Sequence, residues 1–174
     1  MVNQTEFVDH LRERMNEAIE KDFYFESITC SYAIVENRTK RLLEHLGKSA
    51  SNMSLFEKTG YLYDKIKDKD QENDHNKVKL IGYIDYRLKK SKLLQVDDSL
   101  DFKDWKTRNF QDTQNNKIMS FRTLRNDLTH ELARYDSGNP NLIDFDEYID
   151  LAYLGKEVAD ELSRIASNVK KKQS

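Results

Sequence analysis

Residues that interrupt secondary structure are scarce in this 174-residue chain, which has five glycines and one proline. So few breakers argue against a fold with many turns, such as a β-sandwich, and favour long helices. The lone cysteine, Cys30, excludes an intrachain disulfide and is typical of a reducing cytoplasm, where we expect the protein to reside. No apolar run approaches the roughly 18 residues of a membrane span, and the polar first residues lack the apolar core of a signal peptide.

Charge is abundant but nearly balanced. Charged residues make up 34% of the chain, yet the net charge is −2. The chain as a whole therefore does not bind nucleic acid by its overall charge, and any contact with RNA must come from a local patch. No glycine-rich phosphate loop, Cys/His cluster or nucleophile elbow is present. The acidic stretch Lys67–Asn76 lacks the spacing of a calcium loop, so we interpret it as a solvated loop and predict neither a metal nor a cofactor.

The apolar residues recur at steps of three and four, which predicts an all-α fold. We expect one domain over residues 1–174, a mostly antiparallel bundle of four long helices and one or two short ones, with residues 170–174 as a frayed tail. Local signals set the expected helix boundaries: Thr5 as a first N-cap, Gly47 as a C-cap, a capping box from Ser54 to Glu57, a helix over Val78–Leu94, and Asp144 as the last N-cap. Gly155, inside the last helix, predicts a close approach of another helix.

One helical stretch combines an apolar stripe with chemically capable side chains. The stripe consists of Phe121, Leu124, Leu128, Leu132 and Tyr135. Asn126 and His130 lie four residues apart on the opposite face, where they can hydrogen-bond, and Arg125 projects from the flank. A guanidinium, a carboxamide and an imidazole within about two turns suit a phosphodiester-cleaving site. The usual alternative is a solvated polar face.

The sequence Arg125-Asn126-Asp127-Leu128-Thr129-His130 resembles the Arg-polar-x-x-x-His signature of HEPN domains. The resemblance implies a helical bundle and a metal-independent endoribonuclease, in which the ribose 2′-OH attacks the adjacent phosphorus. It assigns proton transfer to His130, charge stabilisation to Arg125, and ring orientation or phosphate contact to Asn126. It also implies a hydrolase of RNA that serves as a toxin or in defence or RNA processing, with a cognate antitoxin as a candidate partner.

A single motif helix supplies one histidine, whereas this chemistry benefits from both an acid and a base. HEPN domains usually pair two motif helices about a twofold axis, so we expect a homodimer with a composite site. His10, His45 and His75 belong to no comparable group of side chains.

Two further sets of residues are candidates for supporting roles. The predicted fourth helix carries Arg87, Lys89, Lys90 and Lys92 beside tyrosines, which is typical of an RNA-binding face and equally of a solvated helix. Glu36 and Asn37 interrupt the apolar positions of the second helix. We favour a solvated face there; the alternative is that they orient Arg125 or His130, as polar residues on the facing helix often do in HEPN domains.

Two other functions stay open. One is a non-catalytic HEPN-like module for binding or protein interaction, in which Arg125 is structural. The other is an unrelated helical scaffold in which the motif is accidental.

Overall fold

The computed structural model describes residues 3–97, 101–103, 115–134 and 145–173. Over these residues the chain forms six α-helices and no strand, which confirms the all-α prediction. The helices are α1 (Gln4–Glu20), α2 (Tyr24–His45), α3 (Leu55–Lys67), α4 (His75–Lys90), α5 (Lys117–Ala133) and α6 (Phe145–Gln173), with a short 3-10 helix at Lys69–Gln71 between α3 and α4. Buried apolar side chains of all six α-helices form one hydrophobic core.

Helices α2 and α6 lie side by side and run parallel. Ser31 of α2 lies next to Gly155 of α6, and further along both helices Arg38 and His45 share a cavity with Ala166 and Lys170. The other helices that contact α6 run antiparallel to it. Tyr83 of α4 contacts Lys172, and Ser91, just after α4, donates a hydrogen bond to Glu161. Lys117 of α5 pairs with Glu157, and Phe121 of the same helix lies next to Gly155. Arg12 of α1 pairs with Asp160, and Asn16 accepts a hydrogen bond from Lys156.

Several helix boundaries follow the local signals. Ser54 and Glu57 form the predicted capping box at the start of α3. Gly47 adopts φ +83 just after α2, the left-handed conformation that glycine tolerates best. A Cβ at Gly155 would lie 2.6 Å from the ring of Phe121, so the predicted close approach is present.

Four boundaries differ from the predictions. Asn3, not Thr5, caps α1, because its side chain accepts from the backbone N–H groups of Thr5 and Glu6. Helix α4 begins at His75 rather than Val78, since Asp74 caps it.

The same helix ends at Lys90, and its predicted last turn is not helical. Helix α6 extends through Gln173 instead of fraying at residue 170, because Val169 is buried and Lys172 stacks on Tyr83. The predicted cap Asp144 and the stripe residue Tyr135 lie outside the described residues.

Candidate functional site

Arg125 lies where α5 packs against α2. Its guanidinium carbon lies 4.4 Å from the centroid of the Tyr32 ring, a cation–π contact. The Tyr32 ring also packs against that of Phe121, one turn earlier on α5, with the ring centroids 6.2 Å apart. Phe121 is fully buried, so the platform beneath Arg125 is anchored in the core.

A second guanidinium lies one turn before Arg125. Arg122 lies 5.3 Å above the centroid of the Phe56 ring, which belongs to α3. Among the described residues, no carboxylate comes within ion-pair distance of Arg122 or Arg125. Two guanidiniums held on aromatic rings, with no carboxylate partner in the described part of the chain, are suited to binding the oxygens of a phosphate.

The charges near Tyr32 include one carboxylate. Burial and the charge of Glu36 raise the pKa of the Tyr32 hydroxyl, and Arg125 and Arg122 oppose that rise. Glu36 therefore lies in the same neighbourhood as the two arginines, and it accepts a hydrogen bond of 3.1 Å from Lys58. Lys58 has only 6% of its side chain exposed, so Glu36 partly neutralises a nearly buried ammonium group. Its predicted role in orienting Arg125 or His130 stays a prediction.

Asn126 contacts Arg125 and not His130. Arg125 Nη1 donates to Asn126 Oδ1 over 3.3 Å, and the Thr129 hydroxyl donates to the Arg125 carbonyl oxygen over 2.9 Å. His130 is exposed, and no described residue hydrogen-bonds its ring. The hydrogen bond expected between Asn126 and His130 is therefore not formed in the single chain.

The motif residues diverge around the helix. His130 follows Arg125 by five positions, which corresponds to about 140° around the helix axis and about 7.5 Å along it. Arg125 packs towards α2, and His130 points into solvent. The apolar stripe is only partly covered: Phe121 and Leu128 are buried, whereas Leu132 is 36% exposed.

The other candidate residues lie apart from the motif. The basic residues Arg87, Lys89, Lys90 and Lys92 lie where α4 ends, beside the first residue of α5, since the Lys117 N–H donates to the Lys92 carbonyl oxygen. Lys117 precedes Arg125 by about 12 Å of helix. Asn37, next to Glu36, has a buried Oδ1 atom without a hydrogen-bond partner among the described residues.

Tyr32, Arg122 and Lys58 lie around Arg125 and Glu36, although the sequence does not single them out as candidates. Arg122 could have been identified from the sequence, because it lies three positions before Arg125 and residues three apart share a helix face. Tyr32 occupied an apolar position of α2 and read as a core residue. Nothing local distinguishes Lys58, because its burial depends on how α3 packs on α2.

Two kinds of feature are absent from the described residues. They contain no helix long and apolar enough to cross a membrane, and no group of three or more side chains placed to hold a metal ion. Comparison of the chain with protein-family models, with curated proteins and with solved structures gives no match.

Proposed function

We propose that this protein is a metal-independent endoribonuclease of the HEPN type, with Arg125, Asn126 and His130 at its catalytic site. The observation that carries the proposal is the placement of Arg125. Its guanidinium is fixed against the Tyr32 ring without a carboxylate partner among the described residues, and His130 is exposed about one and a half turns further along the same helix.

In the proposed reaction the ribose 2′-oxygen forms a bond to the adjacent phosphorus, and the bond from phosphorus to the 5′-oxygen of the next nucleotide breaks. The products are a 2′,3′-cyclic phosphate and a 5′-hydroxyl. His130 accepts the 2′-OH proton as general base while water protonates the departing 5′-oxygen, or His130 donates that proton while water takes the proton of the 2′-OH. Arg125 stabilises the charge that develops on the phosphoryl oxygens. Because the nucleophile belongs to the substrate, the reaction needs no metal-bound water.

The direct test is incubation of the purified protein with end-labelled RNA and with DNA of the same sequence, both in the presence of a chelator. We expect cleavage of the RNA alone, because DNA lacks the 2′-OH. A strict requirement for added metal would contradict the proposal.

The contact between Arg125 and Tyr32 also supports a second candidate, a non-catalytic binding module. A guanidinium packed on a ring between two helices can serve stability alone. Replacement of Arg125 by Lys separates the two. If the protein is a nuclease, the variant should lose RNA cleavage and keep most of its stability. If it is a binding module with a structural Arg125, the wild type should not cleave RNA and the variant should have a lower melting temperature.

We further propose that the active form is a homodimer. Since Arg125 and His130 point to different sides of α5, they meet at one phosphate most simply when each comes from a different subunit. Exposed aromatic rings near the start of α2 offer a surface for pairing: Phe23 is 57% exposed, Phe25 52% and Tyr153 53%. Helix α5 runs antiparallel to both α6 and α2. Its C-terminal end, which carries His130, therefore lies at the same end of the bundle as the start of α2.

Mixed subunits test the shared site. We predict that Arg125→Ala and His130→Ala chains are each inactive, and that an equal mixture after subunit exchange regains up to about one quarter of wild-type activity. Half of the dimers would then be mixed, and each mixed dimer would keep one of its two sites. The measurement is RNA cleavage alongside analytical ultracentrifugation. A monomer that cleaves RNA would contradict the composite site.

The basic residues at the end of α4 are proposed to contact the RNA backbone. We predict that Lys89→Glu with Lys90→Glu weakens RNA binding at least about tenfold and flattens its salt dependence, because two phosphate contacts are lost. Lys65→Glu with Lys67→Glu is a matched control, since these lysines also lie in the last turn of a helix, α3. Fluorescence anisotropy at several salt concentrations measures both. Equal losses of RNA affinity in the two variants would show that RNA binding depends on net charge alone.

A further inference from the structure

Two cavities open at the end of the bundle where α2 and α6 finish. The cavity beside α4, of about 700 Å³, is lined by His45, Asn76, Lys77, Lys79, Tyr83 and Lys172, among others. The cavity beside α1, of about 350 Å³, includes Arg38, Arg41, His45, Lys170 and Lys171 in its lining. His45 lines both, so the two cavities adjoin, and we call them together the basic end. Tyr32, which contacts Arg125, lies 13 residues before His45 on α2, or about 20 Å away.

Positive charge is concentrated at the basic end. Seven lysine and arginine side chains line it, and no carboxylate does so among the described residues. The chain has a net charge of −2, so this is a local excess. Arg41 is partly neutralised by Glu44, at 2.7 Å. Lys77, Lys79 and Lys170 have no ion-pair partner among the described residues, and Lys172 has only its contact with Tyr83.

Arg38 is partly buried at the basic end. Its Nε atom is buried and has no hydrogen-bond partner among the described residues. Burial lowers the pKa of its guanidinium, the charges of Arg12 and Arg41 lower it further, and the charge of Asp9 opposes them. A guanidinium in this position destabilises the free protein, and a bound anion would offset that cost.

We propose that the basic end binds a compact oligophosphate anion, a chain of about three phosphates, seated across both cavities at His45. Guanidinium groups donate paired hydrogen bonds to phosphate oxygens, and ammonium groups supply point charges around them. The larger cavity has the volume of a small-molecule site. The cations converge on two adjoining concavities instead of following a line across the surface, and this favours a compact anion over a nucleic-acid strand. The proposal is independent of the nuclease proposal, because no motif residue lines either cavity.

The probe is inorganic tripolyphosphate, titrated into the full chain by calorimetry and followed by thermal unfolding. We expect one tripolyphosphate per chain, a raised melting temperature, and orthophosphate binding at least about tenfold more weakly, because fewer charged contacts are made. ATP serves as a second arm. Equal affinity for ATP assigns recognition to the phosphate chain alone, and tighter binding of ATP identifies a nucleotide as the source of the phosphates. Absence of tripolyphosphate binding at millimolar concentration would overturn the proposal.

Paired charge reversals on one helix locate the site. Lys77→Glu with Lys79→Glu should weaken tripolyphosphate binding at least about tenfold. Lys89→Glu with Lys90→Glu, the same charge change at the other end of α4, should alter it less than about twofold, because screening weakens distant charges. Equal losses would mean that only net charge is sensed. Competition in which single-stranded RNA displaces tripolyphosphate and itself requires Lys77 and Lys79 would assign the basic end to RNA and reject the compact ligand.

Replacement of Arg38 distinguishes a ligand-binding residue from a purely structural one. Arg38→Met keeps the apolar stem and removes the charge. We expect the ligand-free variant to melt at the wild-type temperature or above, and to bind tripolyphosphate at least about fivefold more weakly. A lower melting temperature with unchanged binding would remove Arg38 from the site.

Discussion

His130→Ala is expected to lower the rate of metal-free RNA cleavage by a factor of about 10² to 10⁴, the usual contribution of a general acid or base. The side chain is exposed, and no described residue hydrogen-bonds its ring. Its removal should therefore change the free energy of unfolding by less than about 0.5 kcal/mol. Cleavage rates with chelator present, measured beside melting curves, check both parts.

A matched control for this variant is His10→Ala. His10 is also an exposed histidine on a helix, and it lies on α1, away from the contacts of α5. We expect it to cleave RNA at the wild-type rate. Undiminished cleavage by His130→Ala would contradict the nuclease assignment, and equal losses in both variants would point to a general effect of removing imidazole groups.

Gly155→Ala is expected to destabilise the protein by about 1 to 3 kcal/mol, although alanine is the better helix former. The added Cβ would lie 2.6 Å from Phe121 Cε2 and 3.0 Å from Ser31 Cβ. The Phe121 ring is fully buried and packs on Tyr32, so it has little room to move. Chemical denaturation gives the change in free energy directly.

Gly82→Ala is the control, because nothing lies within 4 Å of a Cβ built at that position in the middle of α4. This variant should gain about 0.5 to 1 kcal/mol from helix propensity alone. Replacing the ring by a smaller side chain, Phe121→Leu, should lower the free energy of unfolding less in the Gly155→Ala variant than in the wild type, because the smaller side chain leaves room for the added Cβ. If Gly155→Ala proved as stable as Gly82→Ala, the close packing of α5 on α6 would not restrict this position.

Features encoded within a few residues were predictable from the sequence. The capping box of Ser54 and Glu57 and the C-cap at Gly47 depend on groups three or four residues apart, so local spacing reveals them. The start of α1 differs from the prediction because two capping residues, Asn3 and Thr5, lie two positions apart, and Asn3 is the stronger cap. Where several capping residues lie close together, the sequence therefore does not specify which of them begins the helix.

Features that depend on tertiary packing were not predictable in the same way. The pattern of α5 predicts that Leu132 is buried, yet it is 36% exposed, because a stripe does not show how far along its length a neighbour extends. Likewise, the sequence places Arg125 on a helix flank but cannot name Tyr32 as its partner, 93 positions away. The basic end cannot be recognised from the sequence, since its lysines and arginines come from separate helices and converge only in the folded bundle.

The parallel pairing of α2 with α6 has a consequence for the order of folding. The helices that form this contact are separated by roughly a hundred residues, so closing the loop between them carries a large entropic cost. Antiparallel neighbours such as α1 and α2 are joined by a short turn and can associate early. During synthesis, α2 therefore leaves the ribosome with an apolar face that stays uncovered until α6 has been made. We expect the nascent chain to be more prone to aggregation in that interval than after α6 has joined the bundle.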